Sequence, residues 1–305
     1  MTSGAIRRGA RVMLLAACGA IFASGFLAYE QPTIGLAAPA ATVSRYEKTV
    51  DTTTVGNQGC AAAGTTGAMI LNFGQPWYQG GTYGTWNWSN QFFSIAQIQG
   101  AMKAWLSQYY LCGGTDVKLA IGTSNNFGYT GSAHGSAWAT MVNAINAWIA
   151  SPPSWLNVEQ ARGAIDAEVE WSSASVTAQW AQGYASIYSC TNSCSYYYDE
   201  GDAGGCPPAG SHCNGGWTQH DVYYMAWASP PAYPFPEIYW NPPPGGPINA
   251  QQWQAINALY PMSFLGVLTE HAADGNSNTP AQGWQQLATA TSQSPSYSSD
   301  ITWAN

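Results

Sequence analysis

Positive charge is almost missing from this 305-residue chain: Lys and Arg total 8, and none occurs after Arg162. A surface this poor in cations cannot neutralise phosphates, which excludes nucleic acid as a partner and argues against anionic lipid and phosphorylated substrates. Charged residues of both signs make up only 8%, against about a quarter in an ordinary domain. Several motifs are missing too. The turn Gly74-Gln75-Pro76-Trp77 is not the glycine-rich loop that cradles a dinucleotide phosphate. No G-x-S-x-G elbow occurs, and His134 beside Ser132 and Ser136 lacks the strand-to-helix turn a serine nucleophile needs. No H-E-x-x-H helix is present. Neither a cofactor nor a metal is expected.

Uncharged polar and aromatic residues fill the gap, with 15 Trp and 18 Tyr among abundant amides and hydroxyls. Neutral aromatic surfaces of this kind stack on sugar rings, so carbohydrate is the expected ligand and a monomer the expected state. The N-terminus has a basic region (Arg7, Arg8, Arg11), an apolar run and a small-residue stretch near Ala38 and Ala40. That order reads as a secretory signal over residues 1–40. Two alternatives stay open: a lipid anchor at Cys18, whose preceding Leu15-Ala16-Ala17 matches a bacterial lipobox, or an uncleaved signal anchor. All three export the domain. Apart from Cys18, six cysteines remain, an even count suited to an oxidising compartment. Proximity favours Cys190–Cys194 and Cys206–Cys213, leaving Cys60–Cys112. Their spacing lacks the tight pairs of a structural zinc site.

Residues 41–66 carry little periodicity and read as an extended lead-in to one domain over 67–305. Within it, short apolar runs at 68–74, 117–122, 162–168, 195–199, 220–227, 236–240, 263–269 and 301–303 read as strands. Helical stretches at 94–110, 137–150, 175–188, 249–260 and 280–290 separate many of them. Strands alternating with helices imply parallel pairing through crossovers. Eight strands in this length fit an α/β fold of the (β/α)8 TIM barrel type. A doubly wound open sheet is the rival. The Pro-rich connection 228–235 is too short for a full helix and makes the barrel irregular around strands 5–6.

Such a barrel exposes its chemistry at the C-terminal strand ends. Most acidic residues here fall after position 165, at those ends. The segment Gly163-Ala-Ile-Asp-Ala-Glu-Val-Glu-Trp171 sets Asp166, Glu168 and Glu170 at every second position. Alternate residues on a strand share a face about 6.6 Å apart. Like charges so close raise one another's pKa, a common device for acid/base work. Glu170 is expected to lie in solvent beyond the strand. Asp199, Glu200 and Asp202 read as a loop with at most weak calcium affinity.

The strand Ala164-Ile165-Asp166-Ala167-Glu168 followed by Trp171-Ser172-Ser173 resembles the D-x-E strand of muramidase-type lysozymes and related glycoside-hydrolase-like barrels. It is less similar to the D-x-x-D-x-D-x-E strand of chitinases, because Ala161 and Ala164 stand where chitinases carry aspartates. The resemblance implies glycosidic-bond cleavage by one protonated and one ionised carboxyl. Glu168 is then the proton donor and Asp166 tunes or orients it. Glu237 is the first candidate for the second carboxylate, with Glu270 beside His271 next. Asn72, Tyr198, Trp227, Tyr239 and Trp240 are the expected sugar contacts, whereas Trp171, Trp180, Trp253 and Trp284 read as packing residues. The expected substrate is a neutral polysaccharide or peptidoglycan-like glycan. A catalytically silent barrel that binds glycans or a surface protein is the alternative.

Overall fold

The computed structural model describes residues 37–126, 128–151, 159–207, 212–240, 249–275 and 277–304. The expected signal segment and Cys18 therefore lie outside the described residues, apart from 37–40. No helix among the described residues is long and apolar enough to cross a membrane.

Eight parallel strands form one sheet: β1 (Thr42–Tyr46), β2 (Gly67–Asn72), β3 (Val117–Ser124), β4 (Glu159–Asp166), β5 (Tyr197–Asp199), β6 (Ala232–Pro234), β7 (Gly266–Thr269) and β8 (Tyr297–Trp303). Their order is β7-β8-β1-β2-β3-β4-β5-β6, each strand beside its neighbours in sequence. The chain beyond β6 then returns to β7. Leu265 N donates to Pro234 O, Leu268 N to Pro236 O and Ile238 N to Leu268 O, at 2.9–3.0 Å. Those bonds close the sheet, and the chain is a (β/α)8 barrel. Helices α1 (Thr52–Ala62), α2 (Ile95–Leu111), α3 (Ser132–Ile149), α4 (Ala174–Ile187), α5 (Gln219–Tyr223), α6 (Asn249–Leu259) and α7 (Pro280–Thr291) fill the seven connections.

Alternation along β4 shows how the layers form. Ala161 and Ile165 join the apolar layer under the helices, whereas Ala164 joins a separate interior cluster with Tyr46, Ala68, Ile70, Ala120, Tyr198, Phe235, Leu268 and Ile301. Side chains two apart share a face, so Asp166 follows Ala164 to the inside. Several helix starts are sequence-encoded. Ser94 with Gln97 and Thr279 with Gln282 form reciprocal capping boxes, the latter with Pro280 in the first turn. These satisfy backbone donors that a helix start otherwise leaves open.

Three expected elements are corrected. The lead-in 41–66 carries β1 and α1, and β1 pairs with both β8 and β2. Its buried face is Thr42, Ser44 and Tyr46, while Val43 is exposed, so its alternation is polar inward. The expected fifth strand, 220–227, is instead α5 followed by a π-helical turn over Tyr224–Ala228. A capping box between Thr218 and Asp221 starts that helix and prevails over the β-preference of Val222-Tyr223-Tyr224. The expected sixth strand, 236–240, is displaced: β6 is Ala232–Pro234, inside the stretch 228–235 expected as a connection, and 236–240 carries only the bridge of Glu237 to Leu268. The missed β1 and the false 220–227 cancel in the count of eight.

An antiparallel three-stranded excursion over Gln75–Gln79, Thr82–Trp86 and Phe92–Ser94 follows β2. Gly74 admits it: its φ is +98°, and a Cβ there would lie 2.5 Å from Trp86 O. A left-handed backbone and this close approach both require glycine. Disulfides join Cys60–Cys112, Cys190–Cys194 and Cys206–Cys213. The first ties α1 to the C-terminal cap of α2.

Candidate active site

The parallel strands bring one end of every strand to the same mouth, and carboxyls gather there. β4 ends at Asp166, with Glu168 two residues beyond. β5 ends at Asp199, followed by Glu200 and Asp202, and Glu237 lies where the extension of β6 meets β7. One oxygen from each of Asp166, Glu168 and Glu237 lies within 4.8 Å of the others. Asp166 and Glu237 are 3% and 7% exposed, while Glu168 is half-buried. Asp166 Oδ1 and Glu200 Oε2 are buried with no hydrogen-bond partner among the described residues.

Burial dominates the electrostatics. It raises the Asp166 pKa well above the carboxylate range, with Glu200, Asp202 and Asp199 adding repulsion. Glu168 is raised by burial and then by Asp166 and Asp202, and Glu237 by burial and then by Asp166 and Glu168. Asp199 and Glu200 are each pushed up to about 8, again chiefly by burial. Arg162, on the same face of β4, is engaged at the other end of the strand, donating to the carbonyls of Ala161 and Cys194 and to Ser193 and Gln160. At about 3.3 Å per residue it sits roughly 13 Å from Asp166. A cluster held this way must retain protons or take up a cation. The three oxygens of Asp166, Glu168 and Glu237 are close enough for either.

Hydrogen bonds separate the roles within the cluster. The Tyr239 hydroxyl donates to Glu237 Oε1 at 2.7 Å, and the Tyr46 hydroxyl lies 3.3 Å from that of Tyr239. Tyr239 thus favours the ionised form of Glu237. Glu168 hydrogen-bonds to Glu237 and to Asp202. Its backbone is clamped by Asn125, whose Nδ2 donates to Glu168 O at 2.9 Å and whose Oδ1 accepts from Glu168 N at 3.2 Å. Gly122 leaves room for Glu200, since a Cβ there would lie 2.7 Å from Glu200 Oε1.

No sequence profile of a known family and no curated protein sequence matches the chain. Among solved structures it is similar to a GH18 chitinase from Pseudoalteromonas aurantia, at 12% identity and TM-score 0.41 over 87% of this chain and 94% of that one. It is similar to concanavalin B at 11% identity and TM-score 0.45, covering 86% and 92%. A sugar phosphate isomerase/epimerase from Parabacteroides distasonis gives 10% identity and TM-score 0.34, covering 85% and 96%. Likenesses this distant carry no argument about activity, and the barrel rests on its strand order.

The expected site residues divide in the structure. Asp166, Glu168 and Glu237 come together, and Tyr239 joins them through its hydroxyl. Glu270 stands at the rim, reaching the Tyr46 hydroxyl, with its pKa raised by burial and by Asp274. Trp240 is 58% exposed just beyond Tyr239. Three residues expected to contact sugar are corrected. Asn72 is fully buried, donating to Glu200 Oε1 at 3.2 Å and accepting from Gly74 N at 2.9 Å, so it positions rather than binds. Tyr198 packs inside the barrel, stacked on Phe235 at 5.6 Å. Trp227 belongs to the π-helical turn and packs on Tyr233 beside Pro230 and Pro231, ahead of the start of β6. Glu170 lies outside the cluster and accepts from Asn214 Nδ2 at 2.6 Å.

Other residues escaped the sequence reading. Asp202, read as part of a loop, hydrogen-bonds to Glu168. Glu47, just past β1, is fully buried and pushed up to about 7 by burial. Tyr46, Trp88 and Trp303 form an aromatic group with ring centroids 4.7–5.7 Å apart. Glu47 and Tyr46 were hidden with β1, and Trp88 lies on the unforeseen excursion. Tyr46 and Trp303, each at the C-terminal end of a barrel strand, were the available signal.

Proposed function

We propose that this chain is a secreted glycoside hydrolase acting on a neutral polysaccharide or peptidoglycan-like glycan. The observation that carries the reading is the meeting of Asp166, Glu168 and Glu237 oxygens within 4.8 Å at the C-terminal mouth of the barrel. Glu168, the more exposed member, holds a proton against the negative charge of Asp166 and Asp202 and gives it to the glycosidic oxygen as the anomeric bond breaks. Glu237 is the partner that must ionise to meet the positive charge growing at the anomeric carbon, a step the Tyr239 hydroxyl favours against the burial and the Asp166 and Glu168 charges that hold its pKa up. Asp166 touches neither bond and positions Glu168. Water then completes the exchange and returns a proton to Glu168. Three disulfides support an oxidising, extracellular setting.

Turnover of muramyl, chitin and glucan substrates by the protein and by Glu168→Gln tests the proposal. The variant is expected to lose about 10²–10⁴-fold in rate while still binding glycan. Binding without hydrolysis by the unmutated protein across the set would instead favour a silent, glycan-binding barrel.

A further inference from the structure

Beside the carboxyl cluster is a cavity of about 230 Å³ that the catalytic reading does not use. Its walls come from three connections. Trp86, Trp88 and Asn90 lie on the excursion after β2, Asn126 follows β3, and Trp171 follows β4. Trp88 and Trp171 are 40% and 38% exposed, a large apolar area for solvent-facing residues, and Trp171 is thereby corrected from the packing role expected of it. The remaining lining side chains, including Gln75 and Ser124, are uncharged hydrogen-bonding groups, and no described residue lining the cavity carries a charge. Asn126 Oδ1 is buried and makes no hydrogen bond among the described residues. An unsatisfied buried acceptor is costly, and a ligand hydroxyl would satisfy it.

The cavity adjoins the chemistry on two sides. Trp171 N donates to Glu168 O at 3.3 Å, so this indole wall is fixed by the turn that carries Glu168. Trp88 meets the Tyr46 ring edge-on at 5.0 Å, and the Tyr46 hydroxyl leads through Tyr239 to Glu237. Trp86 is held as well, with its Nε1 donating to Asn90 Oδ1 at 3.4 Å and its ring 5.3 Å from Trp77.

We propose that this cavity is a separate subsite for one uncharged sugar ring of an oligosaccharide whose neighbouring linkage lies at the carboxyl cluster. Indole faces take the apolar C–H surface of the ring, and the amides of Gln75 and Asn90 with Asn126 Oδ1 meet its hydroxyls. A uronate ring is disfavoured, because no described residue lining the cavity is cationic and the adjoining mouth is acidic. The proposal deepens the glycosidase reading and rests on it for the direction of the chain, but binding is measurable without turnover.

The test uses isothermal titration and tryptophan fluorescence with cello-, chito- and manno-oligosaccharides of two to six rings, and with oligogalacturonate as the charged control. The probes are applied to the full protein, to Glu168→Gln, and to Trp88→Ala and Trp171→Ala in both backgrounds. Affinity for at least one neutral series is expected to rise with length. Either tryptophan change should then weaken the longer members by about tenfold, as expected for loss of one aromatic stacking contact, while disaccharide binding is unchanged. Circular dichroism confirms that each variant is folded, and the two tryptophans report on walls from different connections. Preference for oligogalacturonate, no binding by any neutral series, or length-dependent binding that survives both tryptophan changes would overturn the subsite. Binding of this pattern without hydrolysis would leave the subsite standing and remove the glycosidase reading. Hydrolysis unaffected by either tryptophan would do the reverse.

Discussion

Replacing Glu200 by glutamine is expected to stabilise the protein at neutral pH and leave it unchanged in acid. Glu200 is 1% exposed, and burial pushes its pKa from 4.5 up to about 8 against the pull of the Asn72 amide, with Asp199 adding repulsion. Between those two values the folded chain holds a proton that the unfolded chain has released. Stability contributed by this group is therefore complete below the unfolded pKa and falls as pH rises through the window. At pH 7 the chain has crossed about 2.5 pH units of that window, at about 1.4 kcal/mol each, so folding with Glu200 costs about 3 kcal/mol. Glutamine is neutral in both states and nearly the same shape. Its carbonyl keeps the bond from Asn72, and its amide replaces Glu200 Oε2, which has no partner among the described residues. Urea unfolding followed by tryptophan fluorescence should show a gain near zero at about pH 4, rising to about 3 kcal/mol at neutral pH and levelling near 5 kcal/mol above about pH 8. An equal gain at every pH would mean that packing, not the proton, is responsible. A loss at neutral pH would mean that Glu200 is ionised and paired, and would refute the electrostatic account of the cluster.

Tyr239→Phe removes the hydroxyl that donates to Glu237 at 2.7 Å. Glu237 then ionises less readily, and the acid limb of the kcat profile is expected to move up by about one to two pH units with KM little changed. An unmoved limb would take Glu237 out of the reaction. Millimolar calcium or manganese at neutral pH, followed by a chelator, is expected to leave Tm unchanged because protons hold the cluster. A reversible rise of several degrees would mean that Asp166, Glu168 and Glu237 instead hold a cation. Replacing both Cys60 and Cys112 by alanine opens a loop with a sequence separation of 52. The loss should be about 4 kcal/mol in urea unfolding, with activity at low temperature preserved.

What could be read from the sequence, and what could not, divides on one physical point: which side of a strand faces an apolar environment. In β2 to β4 the runs Ala68–Leu71, Val117–Ile121 and Ala161–Ile165 are buried on both faces, so they read as strands without ambiguity, and Asp166 stands out as a charge ending such a run. In β1 the inner face is built from hydroxyls. Thr42 and Ser44 bond Ser299 of β8 at 2.8 and 2.6 Å, and Ser44 Oγ also accepts from Ile70 N at 2.8 Å. That polar lining resembles loop composition, so β1 and Glu47 beyond it disappear from view. Trp227 fails in the opposite way: its surroundings have β-propensity, but the Thr218–Asp221 box has already committed the segment to a helix. The carboxyl cluster was legible as a tendency of acids to fall at strand ends. Its membership was legible for Asp166, Glu168 and Glu237 but not for Asp202, which enters from the loop after β5 through a contact between segments distant in sequence. The same holds for the indole cavity, whose walls come from three separate connections and which no single stretch of sequence displays. Local pattern therefore located the clustered carboxyls, while the proposed subsite depends on how the loops meet, and it is there that substitutions at Trp88 and Trp171 would separate specificity from chemistry.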